Sequence, residues 1–309
     1  MSQPALLEKA PSLKLINLKN ILFTTDFSPS SLAALPYASV VARRYGATVF
    51  LGHAVQPNPY PLISGEAVAF MDELVQGAHR ELAGLAECEL LKGIEHKTLL
   101  GHGEIALVLD KFIKQHDIDL VITGTHGRLG FRRFFLGSVA EEIFRTSACP
   151  VLTVGPRVSS QPREKFSLHQ VLYATSLAEE SAPATNYALS FALEYEARLT
   201  VMHVMNNPAQ GPEWRLAKNC YDRMEAQIPP EVKPWCKVDC HVAAGDPADM
   251  ILKTASELKS DLIVLGVKRA SALSTHRMGN LAYRVVTEAA CPVLTIREAS
   301  FQAGGERLN

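Results

Sequence analysis

The sequence predicts two tandem doubly wound α/β domains, each a five-stranded parallel sheet with strand order 3-2-1-4-5. Three observations predict it. Strand-like and helix-like segments alternate along the 309 residues, a pattern that places helices on both faces of a parallel sheet. Three short segments recur in the same order in the two halves of the chain, the mark of an internal duplication. The residues suited to bind a ligand follow the first and fourth strands of the first half. They share one site only if those strands are neighbours at the switch point of the sheet, and the stated order satisfies this.

The repeat is read from paired segments. Ile21-Leu22-Phe23-Thr24-Thr25-Asp26 resembles Val171-Leu172-Tyr173-Ala174-Thr175-Ser176, an offset of 171 − 21 = 150. Asp119-Leu120-Val121-Ile122 resembles Asp261-Leu262-Ile263-Val264, and Cys149-Pro150-Val151-Leu152-Thr153 resembles Cys291-Pro292-Val293-Leu294-Thr295. Both have an offset of 142 (261 − 119 and 291 − 149). The first copy is therefore about eight residues longer ahead of its fourth strand. The polar, proline-bearing stretch Gly155 to Phe166 reads as a linker between domains at 1–157 and 166–298.

Within the first copy, residues 20–25 form an apolar strand, and Ser28 to Tyr45 carries Leu32, Leu35, Ala38, Val41 and Ala42 at helical spacing. Ala47 to Ala54 is the second strand, 66–91 a helix and 95–101 the third strand. Glu104 to Gln115 is a helix. Asp119 to Thr123 is the fourth strand, apolar throughout and so buried on both faces. A helix over 137–147 and a fifth strand at Pro150 to Val154 complete the unit, and the second copy repeats the order.

Composition excludes several classes. A formal net charge of −1, with basic residues spread along the chain, does not suit a nucleic-acid binder, whose affinity rests on clustered cations. No apolar run approaches the roughly 18 residues that span a bilayer. Two of the six cysteines, Cys149 and Cys291, belong to the repeat and not to a disulfide framework. Free thiols and the lack of a signal-like N-terminal stretch predict a cytoplasmic protein. Cys236, Cys240 and His241 have the residue types of a zinc site. On a strand, however, the two cysteines share a face that His241 does not, so buried thiols are expected there.

The loop after the fourth strand carries the chemistry. It reads Gly124-Thr125-His126-Gly127, and nine residues later Gly137-Ser138-Val139 opens a helix. Glycines there let main-chain amides approach a ligand without an intervening Cβ. A helix N-terminus adds free N–H groups and the positive end of its dipole. The combination reads as a cradle for a di- or triphosphate. It is neither a P-loop, since no Gly-Lys-Ser/Thr closes it, nor the dinucleotide turn that follows a first strand. Arg128, Arg132 and Arg133 on this loop read as solvated charges, and Phe131, Phe134, Phe135 and Leu136 as packing residues.

With these motifs the chain resembles a tandem member of the universal stress protein family over about 20–155 and 169–298. Nucleotide-binding members of that family carry Gly-x2-Gly-x9-Gly-Ser/Thr after strand 4 and an Asp at the end of strand 1. The resemblance implies a fold of the adenine nucleotide alpha hydrolase type, with ATP and Mg as ligand of the first copy. Thr24, Thr25 and Asp26 would line the adenosine side, with Asp26 also reaching the nucleotide-bound Mg. Ala54 would offer its backbone to adenine. Thr123, Gly124, His126 and Gly127 would follow the ribose and phosphates, and Gly137, Ser138 and Val139 would hold the phosphates. The alternative for Asp26 is a helix cap, a job open to Ser28 or Ser30 as well. The resemblance also implies that the apolar fifth strands, which pair across subunits in the family, could pair here between the two copies of one chain, so that a homodimer of the tandem would imitate a tetramer.

The second copy departs from this pattern. Ser176 replaces the aspartate, Arg269 replaces the glycine matching Gly127, and Asn280 replaces the serine. An arginine where backbone must meet phosphate predicts that this copy does not bind ATP in the same way. Lys268, Arg269, His276 and Arg277 could meet a different anion or a partner. For the whole chain the leading expectation is a nucleotide-binding stress or regulatory protein with no assigned catalytic residue, acting through conformation or partner binding. A slow ATPase using His126 and a non-enzymatic interaction module are the alternatives. Adenylyl transfer is disfavoured because the first-strand turn, Thr25-Asp26-Phe27-Ser28-Pro29, lacks the expected Ser-Gly-Gly or His-x-Gly-His loop.

Overall fold

The computed structural model describes residues 15–56, 66–125, 147, 149–158, 167–178, 182–205, 213–267 and 281–297. The chain divides into two compact units. One is Leu18–Val151, and the other is built from Leu152 onward together with the residues that precede Leu18.

In the first unit the strands are β1 Asn20–Thr24, β2 Thr48–Val55, β3 His96–His102 and β4 Leu120–Gly124, followed by β5 at Val151–Val154. The helices are α1 Pro29–Leu32, α2 Leu35–Tyr45, α3 Glu66–Ala86 and α4 Ile105–Gln115. All ladders are parallel. Ile21 pairs with Val49 on one side and with Leu120 on the other, and β2 pairs onward with β3 through Val49↔His96. Val121 N donates to Pro150 O at 2.9 Å, which starts β5 beside β4. The order is 3-2-1-4-5, as the sequence predicts.

The second unit repeats this arrangement. Its strands are β6 Gln170–Ala174, β7 Arg198–Met205, β8 Val238–Ala244, β9 Leu262–Val267 and β10 Val293–Arg297. Its helices are α5 Ala182–Glu194, α6 Glu213–Ala226, α7 Pro247–Glu257 and α8 Leu281–Glu288. The order β8-β7-β6-β9-β10 is the same order in repeat terms.

Three local readings need correction. The expected helix Ser28–Tyr45 is two helices, α1 and α2, because Ala33 and Ala34 form a turn and Pro36 restarts the chain at the head of α2. The helix expected over 66–91 ends at Ala86, and a 3₁₀ turn at Glu89–Leu91 follows it. Cys236 lies in the turn before β8 and not on the strand. Buried there, its thiol donates to Ala197 O at 3.3 Å. Half-buried Cys240 on β8 contacts Glu225, while His241 is exposed. Among the described residues no group of His, Cys, Asp and Glu could hold a metal ion. No helix among them is long and apolar enough to cross a membrane.

Each core is the central strand pair and what covers it. Ile21, Leu22, Phe23, Leu120, Val121 and Ile122 are fully buried in the first unit, as are Val171, Leu172, Tyr173, Ile263 and Val264 in the second. One carboxylate per copy sets the register of this pair. Asp119 Oδ2 accepts from the amides of Lys19 (2.7 Å) and Asn20 (3.0 Å), where β1 begins. Asp261 Oδ2 does the same for His169 (2.9 Å) and Gln170 (3.1 Å). Burial pushes the Asp119 carboxyl above its usual range, against the downward pull of those two amides. Beneath each carboxylate lies a repeat cysteine, Cys149 or Cys291. Burial and the neighbouring aspartate raise both thiols, that of Cys291 to about 12.

The side chains of the fifth strands are core residues: Val151, Leu152 and Val154, and likewise Val293 and Leu294, are at most 3 % exposed. A homodimer rests on the resemblance alone.

Asp119→Ala and Asp261→Ala each strand two strand-opening amides. Each is expected to lower stability by about 1–3 kcal/mol in urea titration, to a similar extent in the two copies. In native protein near pH 8, roughly a normal thiol's own titration range, Cys149 and Cys291 are expected to resist alkylation until denaturant is added. Mass spectrometry of the labelled peptides reads the result.

Candidate functional site

At the carboxyl end of the first sheet, β1 leaves the ladder abruptly, and the departure builds the site. Thr25 N still donates to Gly52 O at 3.0 Å. Two residues on, Phe27 N turns away from β2 and donates to Thr25 Oγ1 (2.8 Å). The Thr25 hydroxyl is also 2.8 Å from Ser31 Oγ on α1. The carbonyl of Thr25 is met by His53 Nδ1 at 2.7 Å. A carbonyl only accepts, so Nδ1 carries the proton, and in the neutral ring Nε2 remains an acceptor. The Phe27 ring lies 4.5 Å from that imidazole. Phe27 takes φ 63°, a left-handed conformation that costs a bulky residue about 1 kcal/mol or more and is held by these bonds.

The turn leaves part of β2 uncovered. Successive residues of a parallel strand direct their N–H and C=O to opposite neighbours. Thr48 and Gly52 bond toward β1, and Val49 and Val55 toward β3. Ala54 therefore faces the β1 side, beyond the last β1 pair, Thr24↔Gly52. Its methyl packs against the buried cluster that includes Phe50, Val108 and Phe112. Its peptide edge points into the gap that β1 has vacated.

Thr24 borders the same gap. It is 2 % exposed, and its Oγ1 has no hydrogen-bond partner among the described residues. Asp26 Oδ1 accepts from Ser28 N at 3.0 Å and so shapes the turn, while the cap of α1 is Ser28, whose Oγ accepts from Ser31 N. Across the gap Thr123 pairs with Thr24, and its hydroxyl bonds Gly124 O at 3.2 Å. Gly124 is required by packing. A Cβ there would strike the carbonyl oxygen of Ser30 and come within 2.8 Å of Ser31 Cα. Thr24, Thr25, Asp26, Ala54, Thr123 and Gly124 are thus brought together at the switch point. His126, Gly127, Gly137, Ser138 and Val139 lie outside the described residues, as do the loop arginines and phenylalanines of the first copy and residues 268–280 of the second.

His53 escaped the reading of the sequence, although a signal was present. His203 stands at the repeat offset (203 − 53 = 150), and its Nδ1 meets Thr175 O at 2.8 Å. Leu177 N donates to Thr175 Oγ1 (3.0 Å), and Leu177 has φ 59°. The turn is therefore a property of the repeat. The copies differ around it: Ser176 stands where Asp26 does, and Arg223 Nη2 donates to Leu177 O at 2.6 Å. The position matching Arg223 in the first copy is Glu81, which has no donor to offer.

Comparison with known proteins identifies the family and the fold. The model of the universal stress protein family matches residues 17–155 and again 168–297. The chain belongs to the universal stress protein family. A universal stress protein of Methanocaldococcus jannaschii is 31 % identical over 141 residues, 44 % of this chain and 81 % of that protein. A Staphylococcus aureus protein named for the same family is 30 % identical over 165 residues, 49 % of this chain and 99 % of its own. Each match is about one repeat long. Among solved structures, a universal stress protein from Archaeoglobus fulgidus has the same fold, with TM-score 0.72 and 18 % identity over 92 % of this chain and all of its own. One from Pseudomonas aeruginosa superposes with TM-score 0.63 and 17 % identity, covering 93 % and 98 %.

Thr25→Val keeps the side-chain shape and removes the acceptor for Phe27 N. A loss of about 1–3 kcal/mol is expected, with the Phe27 amide exchanging faster in hydrogen-exchange measurements, and Thr175→Val should do the same at Leu177. Gly124→Ala forces α1 away from β4 and is expected to cost about 1–3 kcal/mol, read from the denaturation midpoint.

Proposed function

We infer that the first copy of this universal stress protein binds an adenine nucleotide, ATP with Mg, and that occupancy acts through conformation or partner binding. The observation that carries the reading is the peptide edge of Ala54 in the gap beyond β1. One residue's C=O and N–H offer the acceptor and donor that the amino group and adjacent ring nitrogen of adenine require. Thr24 supports it with a buried hydroxyl that would gain a partner from a ligand in the gap. Asp26, at the rim, would lie on the ribose side of such a ligand and would reach a phosphate-bound Mg. The phosphate half of the reading rests on the sequence of the loop His126 to Val139, whose glycines and helix-opening serine suit an anion.

The second copy keeps the turn and the matching peptide edge at Val204 but has Ser176 for Asp26 and Arg269 for Gly127. Polyphosphate binding is therefore assigned to the first copy alone.

Denatured, freshly purified protein is expected to release about one equivalent of ATP or ADP per chain, in line with a single formed cradle. Gly127→Arg, which transplants the residue of the second copy, should abolish binding in calorimetry while leaving the melting temperature of the ligand-free protein unchanged. Absence of adenine-nucleotide binding at millimolar concentration overturns the reading, and two equivalents per chain overturn its assignment to one copy.

A further inference from the structure

The outer strand of the first sheet carries a second feature, remote in kind from the switch-point gap. Among the described residues β3 pairs only with β2, which leaves one of its backbone edges without a strand partner there. Glu95 and Gly103 bond toward β2, which by alternation leaves the N–H and C=O of Thr98, Leu100 and His102 facing outward. β3 contains no fully buried residue, in contrast to β1 and β4. Beside this edge a groove of about 330 Å³ runs between β3 and α4. Val108 and Phe112 form its apolar side. Lys111, Gln115 and His116 supply polar side chains from α4, the backbone of His102 closes one end, and no carboxylate among the described residues lines it. Among the described residues Lys111 has no ion-pair partner. Asp110, the acidic residue next to it, is engaged by Lys114.

The second copy shows that the fold does not impose this chemistry. At the repeat offset of 142 (253 − 111), Lys253 matches Lys111 and pairs with Glu257 at 3.9 Å. Glu257 stands at the place of Gln115, Leu258 at that of His116 and Ala244 at that of His102. The lysine there has a carboxylate beside it, and the imidazole of His116 has no counterpart.

We propose that the β3–α4 groove of the first copy is a docking site for an extended acidic peptide segment of a partner protein, added to the sheet as a strand beside β3. An open edge supplies main-chain hydrogen bonds, and side chains on one face of the added strand enter the groove. A strand of five residues is about 16 Å long, comparable with the outward-facing stretch Thr98 to His102. Acidic side chains at alternate positions lie on the groove face of the added strand, toward Lys111, Gln115 and His116 of α4, and the residues between them point to the opposite face. The site is independent of the nucleotide reading, since it shares no residue with it.

The test uses the intact chain and a fluorescein-labelled alternating Glu-Val octapeptide, followed by polarisation. Saturable binding is expected, absent for the Lys-Val counterpart. It should be lost when alternate peptide nitrogens are methylated, because methylation blocks strand pairing without altering charge. Lys111→Glu should weaken it by about tenfold or more, the usual order for reversing a charge at such a contact. Lys253→Glu should leave it unchanged, and nucleotide release should be the same in both variants. No polarisation change up to millimolar protein overturns the proposal. So does equal binding of the methylated peptide, which would show a charge-only contact, or an equal loss in the Lys253→Glu variant.

Discussion

The architecture of the site depends on the point at which β1 ceases to be a strand. The hydroxyl of Thr25 competes with the β2 backbone for the amide of Phe27 and wins, because it is covalently placed two residues away and braced by Ser31. The imidazole of His53 then occupies the carbonyl that would have continued the ladder. The turn thus ends strand pairing while the amide of Phe27 and the carbonyl of Thr25 keep partners, as buried backbone groups require. The opening beside Ala54 follows without any cavity being carved from the core.

The same turn appears at Thr175, His203 and Leu177, so it predates whatever separates the two copies. What differs lies around it. The first copy has Asp26 in the turn, and the second has Ser176 there with Arg223 bonded to it. In the second copy a guanidinium bridges α6 to the turn. Leu177 is buried there, whereas Phe27 is only half-buried. Duplication has kept the scaffold and altered the electrostatic surroundings, which is the freedom that a fold with its chemistry on loops provides.

Much of this was legible in the residues. The strand order followed from where Thr24–Asp26 and Thr123–Gly124 fell, since a shared site demanded that β1 and β4 be adjacent. Asp119 and Cys149 were visible as repeat elements, but their bonding was not, because a carboxylate spanning from β4 to the head of β1 leaves no local pattern. Gly124 was read for its openness to a ligand, while its packing against the Ser30 carbonyl depends on a close approach between elements far apart in sequence. His53 was hidden for a related reason. A histidine on an apolar strand looks like core, and only its recurrence at the repeat spacing marks it. The break between α1 and α2 was missed because apolar periodicity runs unbroken through Ala33 and Ala34.

The carboxylates of Asp119 and Asp261 sit at the opposite end of each sheet from the ligand-facing loops. Strand alignment is thereby settled at the amino ends, out of reach of anything that happens at the carboxyl ends. Such separation insulates folding from innovation: loops can drift, gain arginines or lose glycines without shifting the sheet beneath them. A gene carrying two such units can hold one to its ancestral task and let the other explore, which gives tandem duplication in this fold a mechanical basis for divergence.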